Sequence, residues 1–122
     1  MLKPLKIKED ERGLFTEIFN MGEAGEVLYA TINSGKSRGN HYHKEKEEFF
    51  CVLEGSAKFK MRNVKTGEKK ECELFGDNLQ ILEILPWWTH SVENIGDTTI
   101  KFLEYGNRPY NAVSPDSFSE IV

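Results

Sequence analysis

Cysteine, histidine and long apolar runs are all scarce in this 122-residue chain, and each scarcity excludes something. The two cysteines, Cys51 and Cys72, have no C-x-x-C spacing, so neither a disulfide framework nor a thiolate metal site is expected. Both lie in apolar-alternating segments and read as reduced, buried small hydrophobes. No apolar run approaches the roughly 18 residues that a membrane helix needs. The opening MLKPLKIKEDERG is basic but has no apolar stretch of a secretion signal, which predicts a cytoplasmic protein with no membrane partner. Basic residues are not in excess either. Sixteen lysines and arginines are scattered among 20 acids, for a formal net charge of −4, which argues against a nucleic-acid partner. Linkers, repeats and low-complexity segments are missing, and the length suits one core, so residues 1–122 are expected to form a single domain.

What is present is a period of two. Ala57, Phe59 and Met61 alternate with Lys58, Lys60 and Arg62, the pattern of a strand with one buried and one solvated face. Val64-Lys65-Thr66-Gly67 turns the chain, and Lys70, Cys72 and Leu74 return on one parity. Further strands are predicted over Glu26–Asn33, Glu47–Glu54, Leu79–Leu85, His90–Ile95 and Thr98–Tyr105, separated by Asn-, Gly-, Asp- and Ser-rich turns. No window has the pattern of a long amphipathic helix. Short strands at this spacing predict an all-β sandwich or small barrel. The tail from Asn107 to Val122, with Pro109 and Pro115, reads as a meandering cover. Phe49, Phe50 and Phe59 are expected in the core or at the sheet interface.

Two of the three histidines, His41 and His43, stand one residue apart, with Glu48 five residues further on and His90 far downstream. Alternate residues of a strand share a face, so His41 and His43 can converge on one point. Imidazoles joined by a carboxylate suit a divalent cation. The competing reading is two solvated strand residues and one satisfied loop histidine. Gly35, His41, His43, Glu48 and Gly55 fall in the order G-x5-H-x-H-x4-E-x6-G, which resembles the first cupin motif. Pro86, His90 and Asn94 resemble the second, with Pro86 one residue nearer the histidine than usual and the motif's glycine replaced within Trp87-Trp88. The resemblance implies a double-stranded antiparallel β-barrel, or jelly roll, with His41, His43, Glu48 and His90 as metal ligands in its mouth. Zinc, manganese, iron and nickel all suit that ligand set.

Two segments resemble nucleotide-sugar enzymes. Asp10-Glu11-Arg12-Gly13-Leu14-Phe15-Thr16-Glu17 is similar to the N-terminal strand of the dTDP-4-keto-6-deoxyglucose 3,5-epimerases, and Arg38-Gly39-Asn40-His41-Tyr42 to their R-G-x-H-Y. The resemblance implies that Arg12, Phe15, Glu17 and Arg38 contact the nucleotide. A guanidinium fork also suits a pyrophosphate on physical grounds. Those epimerases are longer, use no metal and carry glutamine at the position of His43. A fuller resemblance is to the C-terminal cupin domain of CapF-type UDP-sugar reductase/epimerases. It rests on the segments Asp10–Glu17, Gly39–His43, Glu48–Phe50, His90–Thr98 and Ser114–Phe118. It implies zinc and epimerisation of a carbon beside the ketone of a UDP-linked 4-keto hexose in surface-polysaccharide biosynthesis. A homodimer is a further implication. In that family a fused reductase domain finishes the sugar, and here either a separate reductase partner does so or this domain works alone.

Such a reaction needs a base, a group that stabilises the enolate and a proton donor. Tyr42, Glu104, Tyr29 and Lys101 are the candidates for proton transfer if His41 holds metal, and His41 itself if no metal is bound. Trp88, with Trp87, either stacks on the nucleotide or packs in the core or a dimer interface. Arg12 either binds nucleotide or pairs with a surface acid. Lys58, Lys60 and Arg62 read as a solvated sheet face. Two rival functions use the same ligands. One is a non-catalytic module that binds a sugar nucleotide, the other a metal-dependent dioxygenase.

Overall fold

The computed structural model describes residues 1–122. Eleven strands form two antiparallel sheets, and the only helical turn is a 3-10 segment at Gly22–Ala24. The strands are β1 Ile7–Asp10, β2 Gly13–Asn20, β3 Glu26–Ile32, β4 Ser37–Tyr42, β5 Glu48–Glu54 and β6 Ser56–Asn63, followed by β7 Lys69–Phe75, β8 Leu82–Ile84, β9 Trp88–Asn94, β10 Ile100–Gly106 and β11 Phe118–Ser119. One sheet has the order β1-β2-β3-β10-β5-β8 and the other β11-β4-β9-β6-β7. This is the jelly roll that the cupin resemblance implied, and it is all-β.

Alternation along the strands builds the core. From the first sheet, Ala30, Ile32, Phe50, Val52, Ile84, Ile100 and Phe102 point inward. They meet Ala57, Phe59, Met61, Leu74 and Val92 of the second. The same parity carries polar groups into one end of the barrel. Glu48 precedes Phe50 and Val52 on the inward face of β5, and His90 precedes Val92 on that of β9. Glu104 follows Ile100 and Phe102 on β10.

Several expectations need correction. Asp10–Glu17 is a hairpin rather than one strand: Asp10 pairs with Gly13 across the turn at Glu11-Arg12. The segment expected as strand Leu79–Leu85 pairs only over Leu82–Ile84, at the sheet edge beside β5. Leu79, Ile81 and Leu85 are exposed, because only Leu82 and Ile84 meet the core. Cys51 and Cys72 are free thiols, as expected, but half-buried rather than buried. Phe49 lies on the outer face of β5 against Tyr105, with ring centroids 5.9 Å apart, while Phe50 and Phe59 are core.

Candidate metal centre

Strand β4 reaches the site only by departing from regular pleating. Its pairing with β9 slips between Gly39 and His41, where Asn40 takes φ 60°. A bulge of this kind changes which face the following residues present. Arg38 and His41, three residues apart, therefore both line the same cleft. Gly39 has φ 108°, and a Cβ there would come within 2.5 Å of the His90 carbonyl oxygen. The position demands glycine both for its backbone and for its closeness to β9.

Past that bulge, His41 lies opposite His90 in register, and His43 follows just beyond the end of β4. One ligand atom from each of His41, His43, Glu48 and His90 lies within 4.8 Å of all the others. His43, Glu48 and His90 are buried. Glu48 Oε1 sits 2.7 Å from His43 Nε2 and 3.2 Å from His90 Nε2, yet none of these three buried atoms makes an aligned hydrogen bond. Orphaned buried polar atoms are rare because they forfeit their hydration. Here they face one another, which is the arrangement a cation at their common centre would satisfy.

The outer ring nitrogens are anchored. His43 Nδ1 meets the Asp116 carbonyl, and His90 Nδ1 lies 3.0 Å from the Trp88 carbonyl. A carbonyl only accepts, so each Nδ1 carries a proton and the neutral ring offers its Nε2 lone pair to a cation at the cluster. Burial, followed by the neighbouring His90, brings the His41 imidazole down to about 4, so it is neutral over the physiological range. Burial also opposes charge on His43, but Glu48 and the Asp116 carbonyl outweigh it and raise its pKa. Glu48 is the ionised carboxylate of the set: burial opposes its charge, but Glu104, His43 and His90 hold it well below the usual range. Glu104 is raised well above that range by burial and by Glu48, so it carries a proton, which it shares with Glu48.

The cluster floors a cleft of about 580 Å³ that carries charges of both signs. Lys6, Lys8, Arg12, Arg38 and Lys46 line it together with Glu17, Glu26 and Glu104. Arg38 makes only long bonds to the Thr31 and Leu14 carbonyls, at 3.4 Å each, and burial lowers its pKa. Arg12 lines the cleft and also grips Asp10, with Nη2 to Oδ2 at 2.7 Å. Phe15 and Glu17 line it too, and Glu17 is raised through its hydrogen bond to Glu26.

Not every candidate reaches this cleft. Tyr42 has opposite parity to His41, and its ring stacks against Trp87 and Phe118 at 5.9 and 5.4 Å. Trp88 packs on the hydrophobic core and has Lys70 over its ring, 5.1 Å from the centroid. Lys101 and Tyr29 alternate with inward-facing Phe102, Leu28 and Ala30, and Lys101 pairs with Glu54 at 3.0 Å. None of these four lines the cleft.

Two cleft residues escape a sequence reading that looks only for motifs. Glu26 is 1% exposed and lies on the inward parity of β3 with Leu28, Ala30 and Ile32. An acid on a core parity was the signal for it. Lys46 lies in the charged turn that precedes Glu48, and its Nζ pairs with Glu26 at 3.2 Å. Nothing local in the sequence distinguishes it from its neighbours Lys44 and Glu45.

Comparison with known proteins places this geometry in context. A family model described as the polysaccharide biosynthesis C-terminal domain matches residues 8–118. A UDP-2-acetamido-2,6-beta-L-arabino-hexul-4-ose reductase of Pseudomonas aeruginosa is 34% identical over 110 residues, covering 90% of this chain and 30% of that protein. The capsular polysaccharide assembling protein CapF of Staphylococcus aureus superposes with a TM-score of 0.94 at 32% identity, over 99% of this chain and 33% of its own. An oxalate decarboxylase of Lactobacillus farciminis shares the fold, with a TM-score of 0.75 at 24% identity over 94% of this chain and 33% of that one. The chain spans about a third of the length of each of these relatives.

Proposed function

The chain belongs to the polysaccharide biosynthesis C-terminal domain family, as a cupin related to CapF, and we propose that it is a metal-binding epimerase. Its substrate would be a nucleotide-linked 4-keto (deoxy)hexose on the way to a surface polysaccharide. The observation that carries this reading is a cluster of three imidazoles and one carboxylate in a cleft that Lys6, Lys8, Arg12 and Arg38 also line. A diphosphate matches Lys6, Lys8, Arg12 and Arg38, and an uncharged ketone matches the floor. The name of the Pseudomonas relative specifies a UDP-linked hexul-4-ose, which supports that class of substrate.

His41, His43, Glu48 and His90 would hold the cation, zinc being our assignment. When bound, such an ion supplies Lewis-acid polarisation of the ketone. Arg38 and Arg12 hold the diphosphate, since guanidinium forks match phosphate oxygens. Phe15 lends an apolar surface in the same cleft, and Glu17 accepts hydrogen bonds from ligand hydroxyls. Glu104 moves a proton at its carboxyl: raised by burial and by Glu48, it is the acid that lies beside the ligands and within the cleft. His41 as the base of a metal-free reaction is the weaker account, because a pKa of about 4 leaves it little basicity. Residues 1–122 act in this reading as one cupin domain and as a homodimer, with a reductase supplying the reduction step.

Solvent exchange tests the reaction. Zinc-loaded protein incubated in D₂O with a UDP-linked 4-keto-6-deoxyhexose is expected to place deuterium at a carbon beside the ketone, and His90→Ala to abolish it. Tight binding without exchange would replace the enzyme by a binding module. Iron-dependent oxygen consumption would replace it by a dioxygenase.

A further inference from the structure

The turn that joins His43 to Glu48 has no internal structure to hold it. It runs through Lys44, Glu45, Lys46 and Glu47, and every one of its backbone N–H groups donates to a side chain from the C-terminal tail. Lys44 N donates to Asp116 Oδ1 at 2.8 Å, while Glu45 N and Lys46 N donate to Asp116 Oδ2 at 2.8 and 2.9 Å. Glu47 N donates to Asn107 Oδ1 at 2.9 Å, and Asn107 N returns a bond to the Glu47 carbonyl at 3.1 Å. Asp116 also offers its own carbonyl to His43 Nδ1. One residue thus fixes both the ring orientation of a cluster histidine and the path of the chain toward the cluster carboxylate.

The other side of His43 is held as well. Trp87, a non-glycine residue at φ 72°, donates its N–H to the His43 carbonyl at 2.7 Å. A bulky non-glycine residue rarely adopts that backbone conformation, and it persists where surrounding structure requires it. The tail itself is anchored independently of the turn. Phe118 and Ser119 pair with Tyr42 and His41 as β11, and Glu120 N donates to the Asn40 carbonyl at 2.9 Å. Asp116 stands two residues before that strand, so its carboxylate comes to the turn already positioned.

We infer that Asp116 is a positioning residue of the metal centre: its carboxylate gathers the Lys44–Lys46 amides and its carbonyl sets the His43 ring, so that His43 and Glu48 are held in ligating geometry before a cation arrives. The inference rests on the metal-binding reading above. Groups that orient ligands in this way contribute about 10- to 100-fold to metal affinity. Asp116 meets His43 only through its backbone carbonyl, so its carboxylate acts on the cluster through the turn.

Three readouts on Asp116→Ala and the isosteric Asp116→Asn test it, with the wild type alongside. Zinc affinity, by competition with a chromophoric chelator, is expected to fall about 10- to 100-fold in Asp116→Ala and by less in Asp116→Asn. Amide hydrogen exchange of the metal-free proteins should accelerate at Lys44–Lys46 and stay unchanged at Phe59 and Val92. The visible spectrum of the cobalt-substituted variant should differ from the wild type, which loss of fold stability alone would not produce. Wild-type zinc affinity retained by both folded variants overturns the inference, even if the turn amides exchange faster. Failure of the wild type to bind zinc overturns the metal-binding reading instead, and the inference with it.

Discussion

At the level of single residues, the site works by choosing protonation states in advance. His41 is neutral because burial and His90 depress it to about 4, and Glu48 is ionised because Glu104, His43 and His90 overcome its burial. The sign of the pH effect follows. The unfolded chain protonates His41 near 6.5 but the folded chain only near 4, so the unfolded state binds more protons between those values. His41 therefore favours folding above 6.5 and loses that contribution as the pH falls toward 4, on the order of 3 kcal/mol in full. Denaturant unfolding of chelator-treated protein at pH 7 and 4.5 should show a smaller pH dependence in His41→Gln. Equal dependence in both proteins would contradict the shift. His43, raised rather than lowered, acts in the other direction, with stability lost as the pH rises past its folded value above 6.5. Among the ligands themselves, Glu48→Gln keeps the shape and removes the charge. It is expected to leave purified protein with little bound metal by elemental analysis, while its far-ultraviolet circular dichroism remains that of a β protein.

Among the elements, β4 carries the most unusual demands. It must bulge at Asn40 so that Arg38 and His41 share a cleft, and it must approach β9 closely at Gly39. Gly39→Ala places a methyl group 2.5 Å from the His90 carbonyl at φ 108°. The strain and the displaced strand should cost about 1–3 kcal/mol or more and move His90 away from the cluster. A lower thermal midpoint together with weaker zinc binding is expected; an unchanged midpoint would show that β4 and β9 can separate freely. Much of this level was legible in advance. The alternation of Ala57, Phe59 and Met61 marked β6, and the spacing of His41, His43 and Glu48 marked the ligand strands, because period and spacing are local properties. The β1–β2 hairpin was missed although Asp10-Glu11-Arg12-Gly13 is itself turn chemistry, with Asp first and Gly fourth. The short β8 was overextended because an apolar run does not reveal which of its residues has a partner sheet to cover it.

For the molecule as a whole, the N-terminal hairpin segment and β4 bring Lys6, Lys8, Arg12 and Arg38 to the cleft that holds the cluster. That grouping is invisible in a chain of net charge −4, since it arises when β1, β2 and β4 converge. The same holds for Asp116 and Asn107, whose partners lie some 60 to 70 residues away in sequence. Tyr42 and Trp88 had the right chemistry for a site, but strand parity turned one outward and packing claimed the other. The four basic residues of the cleft predict that UDP alone binds and that Arg38→Ala weakens it by roughly 1.5–3 kcal/mol, the range for hydrogen bonds to charged groups. Calorimetry at two salt concentrations should also show binding weaken as salt rises. Affinity indifferent to both changes would remove the diphosphate from those residues.

The metal centre itself is tested most directly by X-ray absorption on zinc-reconstituted protein. Three imidazole nitrogens and a carboxylate oxygen at about 2.0–2.2 Å are expected, with one nitrogen lost in His43→Ala. A sulfur neighbour near 2.3 Å or an all-oxygen shell, or a spectrum unchanged by that substitution, would contradict the assignment of His41, His43, Glu48 and His90.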